Sequence, residues 1–157
     1  MKYSAPRRSG ISSQVLNLAQ ELRRVAIDVV MPHAGKVSAD QNHEHSDGSR
    51  FTDIDLAAED ALRKAAQRIY PDALITGEEA ISENPDGFLK EAANHRVVIF
   101  DPIDGTGAFK RGEDTYSIMA AVINRGTTEA GIIYTPGRAV ADANGILVPQ
   151  KDILDRK

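Results

Sequence analysis

Two aspartates, a proline, a glycine and a threonine stand within six consecutive residues, Asp101-Pro102-Ile103-Asp104-Gly105-Thr106, directly after the apolar run Val97-Val98-Ile99-Phe100. Carboxylates this close repel one another unless protons or a cation intervene. A hard divalent cation prefers oxygen ligands of this kind. Pro102 fixes its own φ and restricts Asp101, which stiffens the bend. Gly105 permits positive φ or a close backbone approach, and Thr106 adds a hydroxyl. An acidic turn in which Asp101 or Asp104 caps a helix accounts for the same local pattern. A second acidic pair, Glu78-Glu79, follows Gly77 at the end of another short apolar segment. Alone it reads as a solvated loop, but neighbouring strands that deliver carboxylates from their C-terminal ends can meet in one cleft. Thr52 and Asp55 offer a third contribution and equally make a helix-capping arrangement.

The elements that must position these groups are legible from periodicity. Val15, Leu16, Leu18, Ala19, Leu22, Val25, Ala26, Val29 and Val30 form a helical stripe opened by Ser12 or Ser13 and closing near Gly35. Residues 36–50 have no apolar period and read as a polar, mobile loop. A second helix is expected from Thr52 or Asp53 to about Tyr70, where Pro71 breaks it. Ala73–Gly77 is a short strand candidate, 86–95 a short helix, and Arg96–Phe100 a strand rich in β-branched residues. Segments 115–125 and 128–136 flank Gly126 as an antiparallel hairpin, and 139–148 adds a strand or a hairpin around Asn144-Gly145. Two helices followed by strands with a short helix between them imply an α+β layered sandwich.

Composition narrows the chemistry. The 157 residues suit a single domain, with 1–10 as a flexible basic lead-in. With no cysteine, any metal site must use oxygen or imidazole. A formal charge of −4 argues against a general nucleic-acid binder. No apolar run approaches the roughly 20 residues that span a bilayer, and the N-terminus has no apolar signal core. A soluble cytoplasmic protein is expected.

The hexapeptide 101–106, preceded by its apolar strand and by Gly77-Glu78-Glu79, resembles the inositol monophosphatase family of Mg²⁺-dependent, lithium-sensitive phosphatases. Phe51-Thr52-Asp53-Ile54-Asp55 resembles that family's Thr-x-x-Asp at the start of its second helix. The similarity runs from about Ser12 to about Gly137, including the strand around Gly131–Pro136. It implies a layered sandwich of the sugar-phosphatase type, of which this chain would be the N-terminal part with the second half missing. The implied activity is hydrolysis of inositol monophosphate or a similar small phosphorylated polyol. A 3′(2′),5′-bisphosphate nucleotidase of the same superfamily is the near alternative.

The resemblance also implies roles. Glu78 and Asp101, with the Ile103 carbonyl, would bind a first Mg²⁺, Asp101 and Asp104 a second, and Glu78 would contact a third, weaker ion. A water held by these ions is the family's nucleophile, and Thr106, hydrogen-bonded toward Asp55, would orient or deprotonate it. Asp104 and the amides of Gly105 and Thr106 would contact the phosphorylated substrate. A homodimer is the implied assembly.

The sequence departs from the family in its later part. There is no tryptophan, and no match to the Trp-Asp-x-Ala-Ala-Gly motif whose aspartate completes the second metal's shell. Residues 138–157 resemble relatives weakly, Ala80 stands where a serine is usual, and Gly107-Ala108 replaces a more usual Thr-Asn. A non-catalytic or truncated member that binds metal or a partner is therefore the alternative of a different class. His43 and His45 invite a metal reading, but a solvated loop explains them without a third ligand. His33 and His95 read as groups near helix ends. Lys110, Arg111 and Arg125 read as surface charge, and Tyr70, Tyr116 and Tyr134 as core.

Overall fold

Ser12 opens the first helix as its cap, accepting from the Val15 N–H at 3.2 Å. Helix α1 (Ser13–Val25) then buries Leu18, Ala19, Leu22 and Val25 on one stripe. It continues through a π-type turn at Ala26–Val30 and a 3-10 turn at Met31–His33. The computed structural model describes residues 12–44, 48, 50–78, 81, 84–136, 140–141 and 147–148.

The polar stretch expected to be a loop holds structure. Strands β1 (Asn42–Glu44) and β2 (Arg50–Thr52) pair antiparallel. Their side chains are mostly exposed or half-buried, so no apolar alternation announces them. What pins the ribbon is local: His43 Nε2 lies 2.6 Å from Asp53 Oδ1, and the His43 ring packs on Phe51 at 5.1 Å. The expected role of His43 as a solvated loop residue is corrected to that of a tether, while His45 lies outside the described residues.

Helix α2 (Asp53–Ile69) is capped by Thr52 and buries Ile54, Ala58, Leu62, Ala65 and Ala66. Strand β3 (Leu74–Gly77) follows Pro71, then α3 (Pro85–Asn94), then β4 (Arg96–Asp104). A short helix α4 (Thr106–Arg111) leads to β5 (Ser117–Asn124) and β6 (Thr127–Tyr134). Arg125 at φ +48° and Gly126 at φ +77° form the two-residue turn between the last two, the conformation that matches strand twist. β7 (Val140–Ala141) and β8 (Leu147–Val148) pair antiparallel, as the hairpin alternative for 139–148 requires, and Asn144-Gly145 lies outside the described residues.

One six-stranded sheet runs in chain order from β3 to β8, with β3 and β4 parallel and the others antiparallel. Alternate residues Val98, Phe100, Ile118, Ala120, Val122, Ala130, Ile132 and Tyr134 face a core shared with Leu22, Val25, Ala58 and Leu62. Tyr70, Tyr116 and Tyr134 are buried, as their reading as core requires. His33 Nδ1 donates to the Val29 carbonyl at 2.9 Å, and His95 stands 3.4 Å from Glu91, both near helix ends. Among the described residues no helix is long and apolar enough to cross a membrane.

Candidate active site

Strand β3 ends beside the middle of β4. Their parallel register sets Gly77 opposite Phe100, so Glu78, the first residue past β3, comes next to Asp101, which is still within β4. β4 then continues past Pro102 with a change of register against β5. Asp101 pairs with Met119 and Asp104 with Ser117, so three steps on β4 meet two on β5. That is a bulge of one residue, and it falls beside the proline, which has no N–H to lose from the ladder. In an unbroken strand, residues at this odd spacing point to opposite faces. The extra residue brings both carboxylates to the same cavity.

That cavity has a volume of about 240 Å³ and is lined by Asp55, Glu78, Asp101, Ile103, Asp104, Gly105 and Thr106, together with Arg50, Phe51, Glu59 and Pro102. The first seven are the residues singled out in the sequence. Gly105 turns the chain into α4 at φ +86°, with no side chain capping that helix. A Cβ there would sit 3.2 Å from the Thr115 carbonyl oxygen in addition to the strained φ. Edge-to-face packing of Phe109 on Tyr116, 5.2 Å between ring centroids, anchors α4 to the core.

Hydrogen bonds hold the rim. The Thr106 hydroxyl donates to the Ile103 carbonyl at 3.1 Å. The carboxylate of Asp55 accepts from the Thr52 N–H at 2.7 Å and from its hydroxyl at 2.6 Å. The Thr52 hydroxyl oxygen in turn accepts from the Ile54 N–H at 3.2 Å. Thr52 is completely buried, so the capping box is an internal fixture. Capping and a place at the cavity are thus both true of Asp55.

Electrostatically the cavity is out of balance. Five carboxylates, those of Asp55, Glu59, Glu78, Asp101 and Asp104, line it against one guanidinium, that of Arg50. Burial and the charges of Glu78, Asp104 and Asp55 push the Asp101 carboxyl from 3.8 up to about 7, while a hydrogen bond from the Ile103 backbone pulls the other way. In the side-chain positions described, no three His, Asp or Glu groups stand close enough to share one metal ion.

Two lining residues were not legible beforehand. Glu59 lies one helical turn beyond Asp55 on α2, and only that spacing could have drawn attention to it. Arg50 enters through the β1–β2 ribbon, which the sequence does not announce. Arg111, read from the sequence as surface charge, is exposed and pairs with Glu113 at 2.6 and 2.9 Å.

Known proteins share this arrangement of sequence. The family model described as "Inositol monophosphatase family" matches residues 12–147. A Nus factor SuhB from Pasteurella multocida is 31% identical over 124 residues, 79% of this chain and 44% of the relative. A histidinol-phosphatase from Chlorobaculum parvum is 34% identical over 121 residues, 77% of this chain and 44% of the relative. The chain thus spans less than half the length of the curated relatives it matches. Among solved structures, the IMPase of Thermotoga maritima superposes with a TM-score of 0.57 at 25% identity, covering 82% of this chain and 49% of that one. An inositol monophosphatase from Zymomonas mobilis gives 0.55 at 25% identity, covering 85% and 51%. With the matched stretch taking in helices α1–α4, strands β1–β7 and every residue at the acidic cavity, the chain belongs to the inositol monophosphatase family.

Proposed function

We propose that this chain carries the metal-holding face of a Mg²⁺-dependent phosphomonoesterase acting on inositol monophosphate or a similar small phosphorylated polyol. The observation that carries the reading is the convergence of Glu78, Asp101 and Asp104 on one cavity, with the Asp101 carboxyl raised by burial and by the charges of its neighbours. Such uncompensated charge favours a counter-cation, and an all-oxygen donor set suits a hard one. Glu78, Asp101 and the Ile103 carbonyl would hold one Mg²⁺, Asp101 and Asp104 a second, and Glu78 would reach a third. Uptake would draw these carboxylates inward from the positions described. When bound, Mg²⁺ would reverse the sign of the cavity and lower the pKa of an attacking water.

The chain's own groups would do the rest. Asp55, held by Thr52, and the Thr106 hydroxyl would orient that water and accept its proton. Asp104 and the amides of Gly105 and Thr106 would face the phosphorylated substrate. The names of the relatives, among them a histidinol-phosphatase and a fructose-1,6-bisphosphatase/inositol-1-monophosphatase, support phosphate-ester chemistry. A bisphosphate nucleotide is the alternative substrate, and a homodimer the proposed assembly.

A second reading is a non-catalytic or truncated member that binds metal or a partner. It is favoured by relatives named Nus factor SuhB. Phosphate release from inositol 1-phosphate with Mg²⁺, with and without Li⁺, separates the two. Turnover blocked by Li⁺ supports the phosphatase. Retained Mg²⁺ binding without turnover supports the second reading, and no uptake of Mg²⁺ overturns both metal assignments.

A further inference from the structure

We propose that Glu59 and Arg63 form a clamp between α2 and β3 that positions Glu78, with Gly77 required to be glycine so that the clamp can close. The inference rests on the metal-holding reading of Glu78 given above. Arg63 reaches in two directions. Its Nε and one terminal nitrogen bind Glu59 Oε1 at 2.8 and 2.6 Å, and the other terminal nitrogen donates to the Ile75 carbonyl at 2.9 Å. An exposed pair one helical turn apart contributes little by itself. Here the third contact makes the guanidinium fork a bridge from a helix to the strand that ends at the cavity.

Glu59 completes the grip from the other side. A Cβ on Gly77 would lie 2.7 Å from its Oε1, 3.0 Å from its Cδ and 3.2 Å from its Oε2. The carboxylate therefore rests against the bare backbone of residue 77, immediately before Glu78. The Glu59 side chain is only 20% exposed and lines the same cavity as Glu78 and Asp55. Since Asp55 is fixed by the cap at the start of α2, the clamp references the end of β3 to that same helix. Glu59 is accordingly a positioning residue, acting through Gly77 and Ile75 on the carboxylate that follows.

The test uses Mn²⁺ binding to the full chain, followed by electron paramagnetic resonance of the free ion. Partners that orient a ligand typically change metal affinity by about 10–100-fold when removed. Glu59→Ala is expected to weaken binding by about tenfold, the low end of that range. Glu59→Gln, which keeps an acceptor for Arg63, is expected to retain most of it. Gly77→Ala should weaken binding comparably alone and add nothing in the Glu59→Ala background, where no carboxylate remains to be displaced. Unchanged affinity in Glu59→Ala, or losses that multiply in the double variant, would overturn the clamp. Amide hydrogen exchange at Gly77 and Glu78 supplies a metal-free readout and should rise in Glu59→Ala and Arg63→Gln. If the wild-type chain takes up no Mn²⁺, the metal reading falls. Exchange unchanged in these variants would then sink the clamp on its own terms.

Discussion

Lowering the pH should release divalent metal from this chain far earlier than ordinary carboxylates would. The Asp101 carboxyl is raised to about 7 by burial and by Glu78, Asp104 and Asp55. A metal competes with the proton for that oxygen, so affinity scales with the ionised fraction. For a pKa of about 7 that fraction is about 90% at pH 8 and about 1% at pH 5, which predicts roughly 100-fold weaker Mn²⁺ binding at pH 5. A carboxyl at 3.8 would lose under about 10% over the same range. Calorimetric Mn²⁺ titrations at pH 8, 7, 6 and 5 give the slope directly. Affinity flat from pH 8 to 5 would refute the argument. Linkage predicts the companion effect on the metal-free fold. Because the folded pKa is raised, the folded chain holds more protons between about 4 and 7 than the unfolded chain does. Stability from this group is thus full below about pH 4 and is lost as pH rises through 7. Discounted for the partial exposure of Asp101, the loss is on the order of 1–2 kcal/mol. Metal-free protein should melt lower at pH 8 than at pH 5.5, and Asp101→Asn should flatten that difference.

Asp104→Asn is expected to weaken Mn²⁺ binding at least tenfold, while Asp86→Asn, in the first turn of α3 away from the cavity, leaves it unchanged; equal effects in calorimetry would count against the site. Thr52→Ala removes a buried cap and releases the Asp55 carboxylate, and urea unfolding should show a loss of about 1–2 kcal/mol. Gly105→Ala forces a side chain into positive φ against the Thr115 carbonyl, at a cost of about 1–2 kcal/mol by the same measurement.

Much of this fold is local enough to be read in advance. The stripes of α1 and α2 follow the 3.6-residue period because one face of each is buried, and Pro71 stops α2 where its ring cannot continue the helix. β4 announces itself because Val97, Val98 and Phe100 are all buried. The β1–β2 ribbon is hidden for the opposite reason. It buries little, and a histidine-aspartate contact and one aromatic stack hold it. α4 carries no such signal because it is six residues long and begins without a side-chain cap. At the site, the hexapeptide and the Glu78 motif carry chemical types that stand out along the chain. Glu59 and Arg50 do not, since only the packing of α2 on β3 and the pairing of β2 bring them to the cavity.

The single extra residue of β4 beside Pro102 has a consequence for how this segment can vary. Its constraint is on length before it is on identity. Trading one acid for another keeps both side chains on the same side of the sheet, whereas deleting or inserting one residue between Asp101 and Asp104 turns one of them away. Among natural variants of this chain, gaps should be shunned in this stretch even where substitutions are tolerated.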